Sequence, residues 1–259
     1  MALRLSKGLR NFLLEGGSLK RALANGAIEI YSGSQPTTAD DAVAGSLLAT
    51  ITLASGTRTK EVKAVGALTL SGTSGSANTF TLNGIEIMGS AVTSDGTVAG
   101  TATKVATAIN NNPKNTYVVA STNGADGVIT LTALPGFGTL VNTWVPAGTG
   151  TTISFGSATN MTGGVNAVNG LTFGDSVAGA VTKNPLETWS GTATGTGTAG
   201  WFRYVGSIAD AGAADSSEVY IRIDGNVGTS GANLNMSSTS IVTSAVQTIS
   251  TFSFTEPAQ

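Results

Sequence analysis

The sequence lacks two residue types on which most catalytic and metal sites depend. Among its 259 residues there is no cysteine and no histidine. Without cysteine, neither disulfides nor thiolate metal sites can hold the fold together. Without histidine, the Ser-His-Asp and Cys-His arrangements, most zinc sites and the commonest general base are excluded. We therefore expect no enzymatic activity, no bound metal and no cofactor.

Charged residues are also scarce. Only 11% of the chain is charged, and thirteen basic and fifteen acidic residues leave a net charge of −2. The chain as a whole therefore has no field that favours nucleic acid or an anionic membrane. No segment comes near the ~20 consecutive apolar residues that span a bilayer, and the apolar run 12–14 is too short for a secretory signal. We expect a soluble protein with no membrane contact and no export signal.

The composition is instead rich in glycine, serine, threonine and alanine, interrupted by runs in which apolar and polar residues alternate. The alternation is clearest at 218–223 and 246–254, and 201–205 is an aromatic run bounded by glycines. A period of two residues predicts antiparallel strands, with Asp224-Gly225 as a tight turn and 190–200 as a loop. The sequence thus predicts a mainly β protein whose outer domain is an antiparallel β-sandwich or barrel-like sheet.

The N-terminal residues 2–25 have a helical pattern instead. Leu5, Leu9 and Phe12 repeat at the spacing of one helix face, and Ser6 is in position to cap the start. Two interpretations are open: a short helix packed on the sheet, or a basic arm that docks on an acidic neighbouring subunit. The candidate docking residues are Arg4, Lys7, Arg10, Lys20 and Arg21.

Residues 64–166 have the pattern of a separate module. Asn83-Gly84 between two alternating runs predicts a hairpin. Helical spacing predicts a helix at 101–112, and two further strands are predicted at 117–120 and 128–131. The sequence therefore predicts a small α+β module made of a hairpin, a helix and a second hairpin.

The sequence on the two sides of this module is similar in character, which predicts that the module is inserted into one outer domain. That outer β domain would comprise 1–63 and 167–259, with the helical arm at its start. Insertion into an exposed loop between two strands costs little stability. The most charged stretch, 57–65, is predicted to be an exposed connection.

Three further groups of residues each allow a functional interpretation. Trp189 and Trp201 belong either to the core, which we favour, or to an exposed aromatic platform for sugar or single-stranded nucleic acid. Asp40-Asp41 is a carboxylate pair or, more simply, a solvated turn or helix cap. Four carboxylates near glycine-rich turns lack the spacing of a calcium loop, so we expect no metal site there. These four are Asp210, Asp215, Glu218 and Asp224.

Five short stretches in the two outer segments carry a resemblance. Residues 5–11 (LSKGLRN) and 27–36 (AIEIYSGSQP) are similar to the opening of tailed-bacteriophage virion proteins. Residues 187–191 (ETWSG), 197–203 (GTAGWFR) and 224–235 (DGNVGTSGANLN) are similar to their later part. Because the matching stretches lie on both sides of 64–166, the resemblance agrees with an inserted module.

The module itself has a resemblance of its own. Phe80–Leu131, with the helix sequence TKVATAIN at 103–110, is similar to a small α+β module of contractile-tail sheath proteins and other phage virion proteins. The remainder of a sheath protein is not found in this sequence, so contraction is not implied.

Together these resemblances imply a structural role in a phage particle and no enzymology. We expect a capsid or neck decoration or cement protein in many copies, with a tail tube or other tail protein as the alternative. An alternative from another class is a glycan- or host-surface-binding module. The expected partners are major capsid, neck or tail proteins and copies of the chain itself, with nucleic acid only for a tail tube. The expected location is the virion, assembled in the host cytoplasm.

Overall fold

A computed structural model describes residues 3–14 and 17–255. Residues 2, 15 and 16 of the predicted helical arm therefore lie outside the described residues. The chain divides into two compact units: an outer unit of residues 1–60 and 167–259, and an inserted unit of residues 61–166. The sequence-based boundary at 63/64 differs from the observed one at 60/61 by three residues. That each unit folds alone stays a prediction.

The first part of the outer unit begins with a short strand and two short helices. The Ser6 hydroxyl accepts the N–H of Leu9 at 3.2 Å, and the Ser18 hydroxyl accepts that of Arg21 at 3.2 Å. Each serine thus satisfies an N–H that the first helical turn leaves without a partner. The elements are β1 (Arg4–Leu5), α1 (Lys7–Leu14), α2 (Leu19–Leu23), β2 (Ala27–Ser32) and β3 (Leu47–Leu53).

The inserted unit holds one long helix and two four-stranded sheets. The predicted hairpin at Asn83-Gly84 is confirmed, and both residues have the positive φ that such a turn requires. The helix starts three residues earlier than predicted, because the Thr97 hydroxyl caps it by accepting the N–H of Gly100. The elements are β4 (Val65–Ser71), β5 (Ser76–Leu82), β6 (Ile85–Glu86), β7 (Val92–Thr93), α3 (Val98–Asn111), β8 (Val118–Ser121), β9 (Val128–Ala133), β10 (Pro146–Thr151) and β11 (Ser154–Thr162).

One sheet of the inserted unit has the order β10-β5-β6, with β7 also paired to β5, and the other has the order β11-β4-β9-β8. Val105 and Ile109 of α3 are fully buried in the same core as Phe80 and Leu131. The helix is therefore held by its apolar face, as its spacing predicts.

The last part of the chain completes the outer unit with strands only. They are β12 (Ala180–Thr182), β13 (Trp189–Thr192), β14 (Gly197–Val205), β15 (Arg222–Gly228), β16 (Leu234–Asn235), β17 (Ser240–Ile241), β18 (Val246–Ile249) and β19 (Ser253–Thr255). Strands β12 and β19 pair with each other.

Nine strands of the outer unit form one large sheet. Its order is β1-β15-β14-β2-β3-β13-β18, with β16 added beside β15 and β17 beside β14. All of these pairs are antiparallel except β15 with β16. The mainly β fold with an inserted α+β module and a short N-terminal helix is confirmed. The path from β1 to β18 is open, so the described strands do not close a barrel.

Three local predictions for this sheet are wrong. The strand predicted at 218–223 begins only at Arg222, the first residue of β15. Asp224-Gly225 lies inside β15 instead of forming a turn, because buried arginines compensate the charge of Asp224 within the sheet. The predicted loop 190–200 contains β13 and the start of β14. Its small residues are needed there: a Cβ on Gly191 would lie 1.9 Å from the carbonyl oxygen of Thr50 on the next strand.

The N-terminal helices belong to the core of the outer unit. Leu9 of α1 and Leu23 of α2 are both fully buried in the cluster that also holds the sheet's aromatic side chains. A short helix packed on the sheet, the first of the two interpretations, is therefore confirmed. Docking of the basic residues on a neighbouring subunit stays a prediction.

The charged stretch 57–65 is not uniformly exposed, which corrects the prediction for two of its residues. Glu61 is buried, and its carboxylate accepts the N–H groups of Gly136 and Gly138. Arg58 is half-buried and donates to the carbonyl oxygen of Gly206. Both side chains hold loops in place, each within its own unit.

Candidate functional site: the polar face of the large sheet and its groove

A row of charged residues crosses the large sheet. Arg4 of β1 lies opposite Asp224 of β15, Asp224 lies opposite Arg203 of β14, and Arg203 lies opposite Glu29 of β2. Residues directly opposite each other share a face of the sheet. Four side chains of alternating charge therefore lie side by side on the face away from the aromatic core. We call this the polar face.

The strongest contact in this row joins Arg203 and Asp224. Nε and Nη2 of the guanidinium donate to the two carboxylate oxygens at 2.8 and 2.7 Å. Both side chains are 0% exposed. Such a two-pronged pair is the geometry in which arginine binds a carboxylate most strongly. It fixes β14 to β15 at the centre of the sheet.

A second buried pair attaches the covering loops. Arg222 lies two residues before Asp224, on the same face of β15. Its guanidinium donates to both carboxylate oxygens of Asp210 at 2.6 and 2.7 Å. It also donates to the carbonyl oxygen of Ala213, and Arg203 donates to that of Asp41. The loops between β2 and β3 and between β14 and β15 are thereby fastened over the polar face.

A groove of about 700 Å³ opens beside these loops. Arg4, Lys7 and Arg10, three of the five predicted docking residues, line it together with residues 37–41 and 214–216. Because Asp40, Asp41 and Asp215 face the same groove, it carries both signs of charge. The groove can accept a polar protein surface, but it does not attract ligands of one charge sign only.

Lys7 is the best-anchored of the groove's basic residues. Its Nζ lies 2.9 Å from a carboxylate oxygen of Glu218, and both side chains are about half exposed. The hydrogen bond to Glu218 raises the pKa of Lys7 and lowers that of Glu218. The backbone N–H of Lys7 donates to Asp40 at 2.9 Å, so Asp40 caps α1, as one of the two interpretations of Asp40-Asp41 expects.

The other two predicted docking residues lie outside the groove. Lys20 forms an exposed ion pair with Asp175 at 2.7 Å, and Arg21 is half-buried on the same helix, α2. The structure therefore gathers three of the five basic residues and separates the remaining two.

Glu29 is the last residue of the charged row, and its side chain is half-buried. Its carboxylate accepts the hydroxyl of Tyr31 at 2.7 Å, while burial away from water raises its pKa. The folded chain thus holds the proton of Glu29 more tightly than the unfolded chain does. Ionisation of Glu29 must then destabilise the fold as pH rises through the raised pKa.

This sign gives a pH-dependent prediction for Glu29→Gln. Glutamine keeps an acceptor for Tyr31 and never ionises. We expect the variant and the wild type to unfold at the same urea concentration near the usual glutamate pKa of about 4.3 or below, and the variant to be more stable at neutral pH. A stability difference that does not change with pH would contradict this account.

The proposed aromatic platform on Trp189 and Trp201 is wrong. Both side chains are 0% exposed. The Nε1–H of Trp189 donates to Glu187 at 2.8 Å, and that of Trp201 donates to the carbonyl oxygen of Ala44 at 3.1 Å. Trp189 packs in the aromatic core and Trp201 stacks on Tyr31 under the covering loop, because a large sheet with two covered faces needs bulky groups on both.

The carboxylates considered for calcium all bind protein groups. Asp210 and Asp224 bind arginines, Glu218 binds Lys7, and Asp215 accepts the N–H of Tyr220. In the described part of the chain, no three His, Cys, Asp or Glu side chains are grouped so as to hold a metal ion. Within residues 3–14 and 17–255, no helix is long and apolar enough to cross a membrane.

Sequence reasoning missed the charged row because its members lie on four strands far apart in the chain. A local signal was present, since Arg203 stands between Phe202 and Tyr204, and Arg222 and Asp224 flank Ile223. Such alternation separates two faces of a strand, but it is also typical of a strand with one solvated face, so it could not show that the charged face is covered. Comparisons with protein-family models, curated proteins and solved structures found no match to this chain.

Proposed function

We propose that the protein is a non-enzymatic structural protein that assembles in many copies through the edge of its large sheet. The observation that carries this proposal is the edge strand β18. Among the described strands it pairs only with β13. In an antiparallel ladder every second residue turns its N–H and C=O away from the partner strand, so half of the backbone groups of β18 face outward.

The side chains around β18 do not prevent a strand of another molecule from pairing with it. Val246 is 62% exposed and nearby Val242 is 56% exposed. Residues 225–255 contain no charged residue and no proline, whereas edge strands are commonly protected by exactly those residue types. A four-residue strand suits a small contact that is repeated in many copies. Neutral, mostly short side chains lose little entropy when such a contact orders them.

Within this class, we propose a decoration or cement protein on the capsid or neck of a tailed phage. The support is the placement of the stretches that resemble virion proteins. Residues 27–36, 197–203 and 224–235 contribute β2, β14 and β15, which are neighbours in one sheet. The likeness therefore concerns one contiguous piece of structure formed by both outer segments.

The partners in this proposal are major capsid or neck proteins and further copies of the chain, in a virion assembled in the host cytoplasm. The groove lined by Arg4, Lys7 and Arg10 would receive a polar surface of such a neighbour. A tail tube or other tail protein is the second candidate. It would form a closed ring whose inner sheet faces DNA, and only in that case would nucleic acid be a partner.

The test is electron microscopy of particles that carry a label on the C-terminus of the chain. Label on the capsid shell or neck is the expected result. Label along the tail shaft would overturn the capsid and neck assignment, and label nowhere on the particle would overturn the whole proposal.

The same particles test the edge strand. Val246→Lys places a charge on β18 and is expected to remove the chain from the particle, because a buried ammonium opposes strand pairing. Val219→Lys is the matched control: Val219 is 47% exposed in the loop before β15 and should leave incorporation unchanged. Equal incorporation of both variants, with the isolated proteins equally folded, would exclude β18 as the contact.

A further inference from the structure

The inserted unit carries a cluster of three half-buried aromatic side chains that sequence analysis did not single out. Tyr117 is central: its ring centroid lies 5.9 Å from that of Phe137 and 5.5 Å from that of Trp144. The rings are tilted by 47° and 58° to one another. We call these three residues the aromatic cluster. Each of the three is partly exposed and packs against the core of the inserted unit.

Backbone hydrogen bonds tie Tyr117 and Trp144 to other parts of the inserted unit. The carbonyl oxygen of Tyr117 accepts the N–H of Leu134 at 2.9 Å. Trp144 donates its N–H to Val141 at 3.1 Å, and its carbonyl oxygen accepts the N–H of Met161 at 2.9 Å. Each residue is thus tied to a different part of the inserted unit.

The backbone on both sides of Phe137 is held by the buried carboxylate of Glu61. The Glu61 carboxylate accepts the N–H groups of Gly136 and Gly138 at 2.8 and 3.0 Å, and these residues flank Phe137. Glu61 itself is 5% exposed. The backbone that carries the three rings is therefore held in place before any ligand binds, which lowers the entropy cost of binding.

The polar groups of this cluster differ in their hydrogen bonding from those of the buried aromatic residues of the outer unit. Trp189, Trp201, Tyr31 and Tyr204 each use the indole N–H or hydroxyl in a hydrogen bond within the protein. In the described part of the chain, the Nε1–H of Trp144 and the hydroxyl of Tyr117 make no such bond. They are free to bind an outside partner.

We propose that the aromatic cluster binds a neutral saccharide chain. One pyranose ring would stack its C–H face on the indole of Trp144. An adjacent unit would accept a hydrogen bond from Nε1–H and exchange one with the Tyr117 hydroxyl. An apolar peptide would cover the rings but leave both polar groups without partners, at a cost in free energy.

Charge also favours a neutral ligand. The segment from 127 to 174, which supplies Phe137 and Trp144, contains no charged residue. This segment offers no cation to an acidic polysaccharide, and a neutral saccharide needs none. The proposal is independent of the particle assignment, because it concerns only the inserted unit.

Quenching of tryptophan fluorescence by acrylamide can follow binding to the full chain. Since Trp189 and Trp201 are fully buried, quenching at the surface reports Trp144. The probes are maltohexaose, cellohexaose, chitohexaose and soluble yeast mannan. At least one probe is expected to protect Trp144 at millimolar concentration or below. No protection by any of the four would overturn the proposal.

Calorimetry with the protecting probe tests the residues. Trp144→Ala is expected to weaken binding about tenfold or more, which corresponds to about 1.4 kcal/mol. Tyr117→Phe removes only the hydroxyl, and Trp144→Phe keeps an aromatic ring but removes the indole N–H together with part of the stacking surface, so both variants remain informative if Trp144→Ala does not fold. Both are expected to weaken binding several-fold, and wild-type affinity in both would overturn the proposal.

Leu140→Ala is the matched control. Leu140 is 67% exposed in the turn that follows Phe137, and it offers no group that a saccharide needs. Its replacement should leave binding unchanged. If it weakens saccharide binding as much as Trp144→Ala does, the loss is not specific to the aromatic cluster, and the proposal is wrong.

Discussion

Replacing Arg203 by alanine is expected to lower the free energy of unfolding by about 3–5 kcal/mol. The substitution leaves the carboxylate of Asp224 at 0% exposure without its two-pronged partner. A buried charge that has lost its partner bears the full cost of desolvation. The loop that Arg203 holds through the carbonyl oxygen of Asp41 is released as well. Urea unfolding followed by circular dichroism measures the loss.

A surface ion pair provides the control for this prediction. Lys20 lies 2.7 Å from Asp175, but these side chains are 43% and 96% exposed. Lys20→Ala should change the free energy of unfolding by about 1 kcal/mol at most, because water already screens such a pair. If Arg203→Ala is no more destabilising than Lys20→Ala, the charged row is not a structural support of the sheet.

Replacing Phe252 by alanine is expected to cost about 3–5 kcal/mol. Phe252 is 5% exposed, and its ring centroid lies within 6.5 Å of those of five other aromatic residues. The neighbours are Phe173, Trp189, Phe202, Tyr204 and Phe254. Removing the ring leaves a cavity that side chains on several strands border, and stiff rings collapse poorly into such a space.

Leu186→Ala is the matched control for Phe252→Ala. Leu186 is also apolar but 93% exposed, so its truncation should change stability by less than about 0.5 kcal/mol. The midpoints of thermal and urea unfolding should agree on this order. A loss below about 1 kcal/mol for Phe252→Ala would show that the core relaxes around the missing ring.

Much of the fold could be predicted from the sequence because the period of apolar residues reflects burial on one side. The hairpin at Asn83-Gly84, the helix α3 and the strands β8 and β9 follow from local pattern alone. The pattern failed where a strand is covered on both faces. Asp224-Gly225 has the composition of a turn, and only the arginines on neighbouring strands make it acceptable inside β15.

The site could be predicted only in part for a related reason. The basic residues of the N-terminal arm are visible in the sequence, but the acidic groups that share their groove come from distant loops. The sequence does not show which of the three tryptophan side chains are buried and which is exposed. Burial is set by long-range packing, so Trp144, in the least regular part of the inserted segment, was passed over in favour of Trp189 and Trp201.

The pairing of β2 with β14 has a consequence for the order in which the chain can fold on the ribosome. Strand β2 can pair with β3 soon after both leave the exit tunnel, but its second partner, β14, follows only after residues 61–166 and the start of the last segment have been made. The inserted unit has all of its strand partners within itself, so its sheets can form while the second edge of β2 is still unpaired. Pairing across so long a separation is slow. The nascent chain must therefore keep the open edge of β2 from pairing with a strand of another nascent chain until its own C-terminal strands emerge.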